Sequence, residues 1–181
     1  MKIWKLENQL VNYESFQLLN TEKEFFNSFS QKVLSGKALN GELDMIEIDL
    51  AEKGIICDAP KFWAASGTML ISEKAKKCLE GVISKSGELI PLKYKDRLLY
   101  LINITKILDV LDYDKSEFMQ LSTGLVYGIS KYSFIFDKLQ ENDIFKVMLN
   151  GRIFTSEIFV TDKIKKIIEE NNLTGFKFTE V

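Results

Sequence analysis

The side chains that most often perform chemistry in proteins are scarce in this chain of 181 residues. It has no histidine, which excludes Ser-His-Asp and Cys-His nucleophilic arrangements, imidazole acid–base catalysis and histidine-ligated metal sites. Cys57 and Cys78 do not form a Cys-x-x-Cys pair, and neither common phosphate-binding glycine loop occurs. We therefore predict no cofactor and no bound metal ion. Carboxylates, lysines and serines remain as possible catalytic groups.

Carboxylates are abundant, and one group of them lies in a short stretch that we call the acidic segment. Its members are Glu42, Asp44, Glu47, Asp49 and Glu52, with no lysine or arginine between them. One interpretation is a surface that binds a basic partner, such as a nuclease, because charge complementarity raises association rates and specificity. The other interpretation, which runs of like charge more often support, is the solvated face of an edge strand.

A second acidic group contains Asp109, Asp112, Asp114 and Glu117. Paired carboxylates can hydrolyse glycosidic bonds, and converging oxygen ligands can bind metal ions. An enzyme of this kind needs a cleft in which at least one carboxylate has a strongly perturbed pKa. A polar turn accounts for the same residues, because an aspartate can cap a turn through its own backbone. No supporting motif accompanies the group, so we predict that the protein is not an enzyme.

An aromatic pair, Phe62 and Trp63, follows Asp58-Ala59-Pro60 in a segment with the character of a loop. Buried aromatic side chains often dominate the affinity of an interface, so the pair is a candidate for partner binding. Pinning a loop to the core is the commoner role, and we favour that interpretation. The candidate partner-binding residues are thus these two aromatics and the five acids of the acidic segment.

The overall composition limits the class of protein. A net charge of -2 argues against a nucleic-acid-binding protein, which needs a basic face. No window approaches the ~20 apolar residues of a membrane span, and the N-terminal residues lack the apolar core of a signal peptide. The isolated cysteines are typical of buried thiols in a reducing compartment. These features predict a cytoplasmic protein that binds neither nucleic acid nor membranes.

Local patterns predict the elements that position the candidate residues. A capping box at Thr21–Glu24 precedes a phenylalanine-rich helix over residues 22–35. Apolar and acidic residues alternate in Leu43–Leu50, which predicts a half-buried strand through the acidic segment. Ser72 is a favourable N-cap between a short strand, Thr68–Ile71, and an amphipathic helix.

The second half of the chain contains further strand patterns. The apolar run Leu98–Ile104 is typical of a central strand, and Asn150-Gly151 predicts a hairpin turn between Ile144–Leu149 and Arg152–Phe154. We expect a helical turn at Ile107–Asp112 and a strand at Tyr132–Phe136.

The C-terminal residues predict a helix over residues 162–171 and a closing strand at Phe176–Phe178 after the turn at Gly175. No linker or low-complexity stretch divides the chain. The pattern therefore predicts an α+β fold in a single domain over residues 1–181, with a mixed, mostly antiparallel sheet packed against a few helices.

An ordered set of segments over about residues 45–181 resembles one known family. The segments are Asp58-Ala59-Pro60-Lys61-Phe62, Leu70–Ala75 with Leu79-Glu80, Glu88–Leu92, Tyr100–Ile104, Leu111-Asp112 with Ser116, Ile158–Asp162 and Thr174–Phe178. The set is similar to small bacterial immunity proteins of polymorphic-toxin systems. The resemblance implies a non-catalytic protein that binds and neutralises a cognate toxin encoded by a neighbouring gene.

The matched residues do not indicate where such a toxin binds. Pro91 and Gly175 set backbone geometry, Ser72 caps a helix, and Leu111 and Phe176 fill the core. Two other functions stay open on the residues alone. One is a regulatory module with an apolar pocket for a small ligand or peptide, and the other is the carboxylate enzyme described above.

Overall fold

A computed structural model describes residues 1–181, which form three α-helices and thirteen strands. The elements of the first part are β1 (Ile3–Asn8), β2 (Ser15–Leu18), α1 (Lys23–Val33), β3 (Ile46–Glu52), β4 (Lys61–Phe62), β5 (Met69–Ser72), α2 (Glu73–Ile83), β6 (Gly87–Tyr94) and β7 (Arg97–Ile104). The remaining elements are β8 (Ile107–Leu108), β9 (Glu117–Gln120), β10 (Val126–Lys131), a 3₁₀ turn (Phe136–Lys138), β11 (Ile144–Leu149), β12 (Arg152–Thr161), α3 (Asp162–Glu170) and β13 (Phe176–Glu180).

The strands form two sheets and a separate hairpin. One sheet has six strands in the order β4-β2-β3-β6-β7-β5, and the other has five in the order β13-β1-β12-β11-β8. Most neighbouring strands are antiparallel, and the β2–β4, β3–β6 and β8–β11 pairs are parallel. The predicted α+β class with mixed, mostly antiparallel pairing is confirmed. The strands form two main sheets, however, where we expected one. Local sequence patterns do not predict this division, because strand pairing depends on contacts between segments distant in sequence.

The N-terminal strands are interior strands of both sheets. β1 lies between β13 and β12, and β2 lies between β4 and β3. Trp4 of β1 faces Val160 on one side and Glu180 on the other. Each sheet therefore depends on the first eighteen residues for its continuity.

Three apolar clusters hold the layers together. The first joins α1 to the six-stranded sheet through Phe29 and Val33, which pack with Ile46 and Ile48 of β3. The second places α2 and α3 against strands of both sheets, and the third covers the opposite face of the five-stranded sheet. Because buried apolar area is the main stabilising term in folding, the first cluster holds α1 against the six-stranded sheet. No helix of the chain is both long and apolar enough to cross a membrane.

The helix starts differ in how well the sequence predicts them. Ser72 caps α2 as predicted, since its hydroxyl accepts a hydrogen bond from the backbone N–H of Ala75 at 3.1 Å. The predicted capping box of α1 does not form, because the N-cap residue is Glu22 and its side chain makes no capping bond. The backbone N–H of Glu22 instead donates to Oδ1 of Asn20 at 2.9 Å. A side chain two residues upstream therefore replaces the expected reciprocal pair.

Two of the predicted elements are wrong. Ile107 and Leu108 form strand β8, parallel to β11, where we expected a helical turn. Phe134 makes only an isolated bridge to Leu111, followed by the 3₁₀ turn, where we expected a strand. Short apolar runs do not distinguish helix from strand, and here distant partners decide the outcome. The edge-strand interpretation of the acidic segment is also wrong, because β3 pairs on both sides.

Candidate functional site

Three neighbouring strands bring the acidic segment and Trp63 together. Gln17 of β2 lies opposite Asp49 of β3, and Phe16 of β2 lies opposite Phe62 of β4. Trp63 follows directly, and its backbone N–H donates to the carbonyl oxygen of Phe16 at 2.9 Å. Gln17, Asp49 and Trp63 are all exposed. They form a row across the sheet that joins residues separated by more than 40 positions in the chain.

Alternation along β3 determines which acids lie on this surface. Ile46 and Ile48 are buried in the cluster beneath α1, whereas Glu47 and Asp49 are exposed. Successive side chains of a strand point to opposite faces, so Glu47 and Asp49 lie on the face of the sheet away from α1. Glu52, at the end of β3, is also exposed, and a register shift against β2 pairs it with Ser15, which lies two residues before Gln17 and so on the face of Asp49. We call the surface formed by Glu47, Asp49, Glu52 and Trp63 the acidic face.

The carboxylates of the acidic segment are not neutralised by ion pairs. None of the five has a cationic nitrogen within 4.0 Å. Two cations lie beside members of the acidic face: Lys93 of β6 is the register partner of Glu47, and Lys61 stacks over Trp63 at 5.5 Å from the ring centroid. The face therefore offers unpaired negative charge to a basic partner, with an effect that salt screens.

Glu42 and Asp44 lie before β3 and line a groove. This groove, which we call the helix groove, separates α1 from the segment that leads into β3 and has a volume of about 400 Å³. Phe25 and Phe29 of α1 line one side of it, and Glu47 lies at its border with the acidic face. The five acids of the acidic segment are thus divided between two adjoining surfaces.

Phe62 belongs to the core and not to the surface. Its side chain is 0% exposed, and its ring packs edge-on against Phe29 with 6.0 Å between ring centroids. Phe62 therefore lies in the core, as the favoured interpretation expected, and is no longer a candidate for direct contact with a partner. Trp63 is 52% exposed, because the next side chain along the chain points to the opposite face of the sheet.

The second acidic group forms a polar turn. Asp112 makes an ion pair with Lys115 at 2.9 Å, and its carbonyl oxygen accepts a hydrogen bond from the backbone N–H of Ser116. The side-chain hydrogen bond that Lys115 donates to Asp112 and the positive charge of Lys115 both lower the pKa of Asp112. Glu117 pairs with Lys131 at 3.3 Å. No group of three or more cysteine, aspartate and glutamate side chains in the chain is placed to hold a metal ion.

The contribution of α1 to the site was not predicted from the sequence. Ser28 and Lys32 line the helix groove beside Phe25 and Phe29. The spacing of Phe25 and Phe29 indicates one helical face. Only Phe29 is fully buried, however, and Phe25 is partly exposed at the groove. That difference depends on where the acidic segment packs, which no local pattern indicates.

Comparison with known families shows the family to which this chain belongs. A sequence model of the immunity protein family Imm11 matches residues 48–181. The chain belongs to this family. The family resemblance predicted from the ordered segments is therefore confirmed. No curated protein matches the chain significantly in sequence.

The Imm11 match begins within β3, at Ile48. It includes Asp49, Glu52 and Trp63 of the acidic face, and it excludes Glu47 together with the remaining acids of the acidic segment. β1, β2 and α1 also lie before the matched region. All the residues that line the helix groove consequently precede the family match.

Proposed function

We propose that this Imm11 protein is an immunity protein that binds a cognate toxin and neutralises it without catalysis, in the cytoplasm of the cell that produces both. The observation that carries this proposal is the family match over residues 48–181. An inhibitor needs a rigid, complementary surface and no nucleophile. The absence of histidine from the sequence is compatible with that requirement.

The acidic face is the surface that we assign to the toxin. A specific interface typically buries ~800 Å² and about 20–30 residues on each partner, so residues around the four of the acidic face must contribute. Glu47, Asp49 and Glu52 supply unpaired negative charge, and Trp63 supplies an exposed aromatic ring. Exposed aromatics surrounded by polar groups are frequent centres of binding energy. This combination favours a toxin with a basic surface, as is common for enzymes that act on nucleic acids.

Co-expression tests the proposal directly. The toxin is expected to be the product of a neighbouring gene, and tagged Imm11 protein is expected to retain it through purification as a complex of defined stoichiometry. Failure of the two purified, folded proteins to associate at micromolar concentration would reject this pairing. An unrelated immunity protein of similar charge, expressed at the same level, serves as the control for charge-driven association.

We also propose that residues 1–181 form one cooperative domain. The support is the interior position of β1 in one sheet and of β2 in the other. Trp4 lies in the five-stranded sheet and Trp63 beside the six-stranded sheet, so the variants Trp4→Phe and Trp63→Phe each leave one fluorescent reporter. Denaturant transitions that coincide for the two variants support one domain, and transitions at different midpoints contradict it.

A regulatory module that binds a small ligand is the second candidate function. The observation in its favour is the helix groove, whose volume of about 400 Å³ lies within the range of small-molecule sites. Native mass spectrometry of the purified protein distinguishes the two functions. A stoichiometric metabolite that the toxin does not displace would favour the regulatory module over the immunity function.

A further inference from the structure

The helix groove combines an apolar floor with an acidic rim. Its apolar lining consists of Leu19, Phe25, Phe29, Leu43, Met45 and Ile46. Leu19 and Met45 are 54% and 52% exposed, although both are large apolar side chains. Burial of such side chains against a partner is favourable by about 25 cal/mol for each Å² of apolar surface removed from water. The groove therefore has an unsatisfied apolar surface that a partner side chain can cover.

The rim of the helix groove carries an excess of negative charge. Glu42 and Asp44 line it, Lys32 is the one cation among the lining residues, and Glu47 also borders the groove although its side chain lies on the acidic face. None of these four side chains takes part in an ion pair. A purely apolar ligand would leave the carboxylates of Glu42 and Asp44 without partners, and a purely ionic one would leave Leu19 and Met45 uncovered. The complementary ligand has both an apolar group and flanking positive charge.

We propose that the helix groove receives an apolar side chain of the toxin, flanked in the toxin sequence by lysine or arginine. This inference rests on the proposed immunity function and names the chemistry of the toxin segment that enters the groove. Glu47 lines the groove at the start of β3, and its side chain belongs to the acidic face, so the two surfaces adjoin at this residue. Interfaces commonly place one anchoring side chain in a pocket with charged groups around its rim.

The wall of the groove opposite α1 is held in place before any partner binds. The carboxylate of Glu88 accepts hydrogen bonds from the backbone N–H groups of Leu39 at 2.6 Å and Asn40 at 3.2 Å. The backbone N–H of Glu42 then donates to the carbonyl oxygen of Leu39 at 2.7 Å. These bonds anchor the turn that leads into the acidic segment. Preorganisation of this kind lowers the ordering cost of binding, which suits an anchor site.

Two variants of the exposed groove residues test the inference through affinity. The double variant Leu19→Ser/Met45→Ser is compared with Leu121→Ser/Leu125→Ser, which changes equally exposed residues around the β9–β10 turn. We expect the groove variant to bind the neighbouring-gene toxin at least about tenfold more weakly and the turn variant to bind as the wild type does. Far-ultraviolet circular dichroism and thermal melting confirm that both variants are folded.

A photo-cross-linking measurement identifies what enters the groove. A photoreactive phenylalanine analogue replaces Ser28, an exposed groove residue, and the same analogue replaces Ser122 in the β9–β10 turn as a control. We expect Ser28 to cross-link to a toxin peptide that contains an apolar residue beside lysine or arginine. Cross-linking to a toxin segment without a basic residue, or to a second copy of this chain, contradicts the inference.

The outcomes separate this inference from the immunity function. If the wild type forms the complex and the groove variant binds equally well, the groove assignment is wrong and the immunity function stands. If the folded wild type forms no complex with the product of the neighbouring gene, that pairing is rejected and the groove assignment for this toxin is rejected with it. A small molecule that occupies the groove and blocks the Ser28 cross-link without affecting toxin affinity also overturns the groove assignment.

Discussion

The carboxylate of Asp58 holds Thr174, which lies 116 positions later in the chain. Its Oδ2 accepts a hydrogen bond from the backbone N–H of Thr174 at 3.0 Å, and its Oδ1 accepts one from the hydroxyl of Ser72 at 2.7 Å. The backbone N–H of Asp58 donates in return to the carbonyl oxygen of Thr174. Asp58 thus ties the start of α2 to the turn between α3 and β13.

Replacement of Asp58 by alanine is expected to destabilise the fold by about 2–4 kcal/mol, because it leaves the donors of Ser72 and Thr174 without their charged acceptor. Urea denaturation at pH 7 measures this difference. Asp109→Ala, which removes an exposed carboxylate outside any ion pair, is the matched control and should change stability by less than about 0.5 kcal/mol. Equal losses of stability in the two variants would contradict this structural role of Asp58.

The same carboxylate predicts a dependence of stability on acid. Burial alone would raise the pKa of Asp58, but hydrogen bonds from Ser72 and Thr174 and the charge of Lys74 together hold it below its ordinary value of 3.8. The stabilisation is therefore complete above pH 4 and is lost as the pH falls through the lowered pKa. We expect the difference in the free energy of unfolding between wild type and Asp58→Ala to shrink as the pH falls below 4. A difference that does not change with pH would show that the pKa of Asp58 is the same in the folded and unfolded chains.

Lys146 is a buried amine without a carboxylate partner. It is 3% exposed, and its Nζ donates to the carbonyl oxygen of Thr155 at 3.0 Å. Burial lowers the pKa of Lys146 from 10.5 to about 8. The unfolded chain therefore binds more protons than the folded one between these two values, so stability rises with pH across this range.

The variant Lys146→Met removes this titration. The free energy of unfolding of the variant minus that of the wild type should fall by about 3 kcal/mol between pH 7 and pH 10.5. Chemical denaturation over that range measures the difference, with exposed Lys85→Met as the control. A pH-independent difference would mean that Lys146 keeps the pKa of an exposed lysine.

Gly67 lies where the two sheets approach each other. A Cβ at this position would lie 1.8 Å from the carbonyl oxygen of Thr155, the same oxygen that accepts from Lys146. Gly124 has a similar positive φ, +81° against +69°, but open space around it. Gly67→Ala should therefore destabilise by about 1–3 kcal/mol more than Gly124→Ala, because both strain the backbone and only the first forces a backbone contact. Equal melting temperatures of the two variants would contradict this account.

The parts of the fold that the sequence predicts are those determined locally. Asn150 and Gly151 form the predicted hairpin turn, and both have the positive φ values of 50° and 73° that such a turn requires. Alternation along β3 likewise predicts the exposure of Glu47 and Asp49. These features depend on neighbours within a few residues, so a single sequence contains the necessary information.

The remaining features depend on distant partners. β8 forms only because β11 lies beside it, and the helix groove exists only because α1 packs across from the acidic segment. Trp63 adjoins Asp49 through β2, which lies between β4 and β3 in the sheet although it precedes both in the sequence. Neither side-chain periodicity nor capping chemistry specifies such pairings, and for this reason the site could be predicted only as separate acidic and aromatic residues.

Charge reversal tests the acidic face. The double variant Glu47→Lys/Asp49→Lys should weaken toxin binding at least about tenfold at low salt, and the loss should diminish as salt screens the interaction. Isothermal titration calorimetry at two ionic strengths measures both effects. Asp137→Lys/Glu141→Lys changes the net charge equally at exposed positions outside the acidic face and should bind normally. Undiminished binding of the first variant at low salt would exclude the acidic face.

The most direct test of the immunity function is growth of cells that express the toxin of the neighbouring gene. Induction of the toxin alone should arrest growth, and co-expression of this Imm11 protein should restore it, with the Glu47→Lys/Asp49→Lys variant restoring it less well at equal abundance. Continued arrest in cells that contain abundant, folded wild-type protein would contradict the proposal that this chain neutralises that toxin.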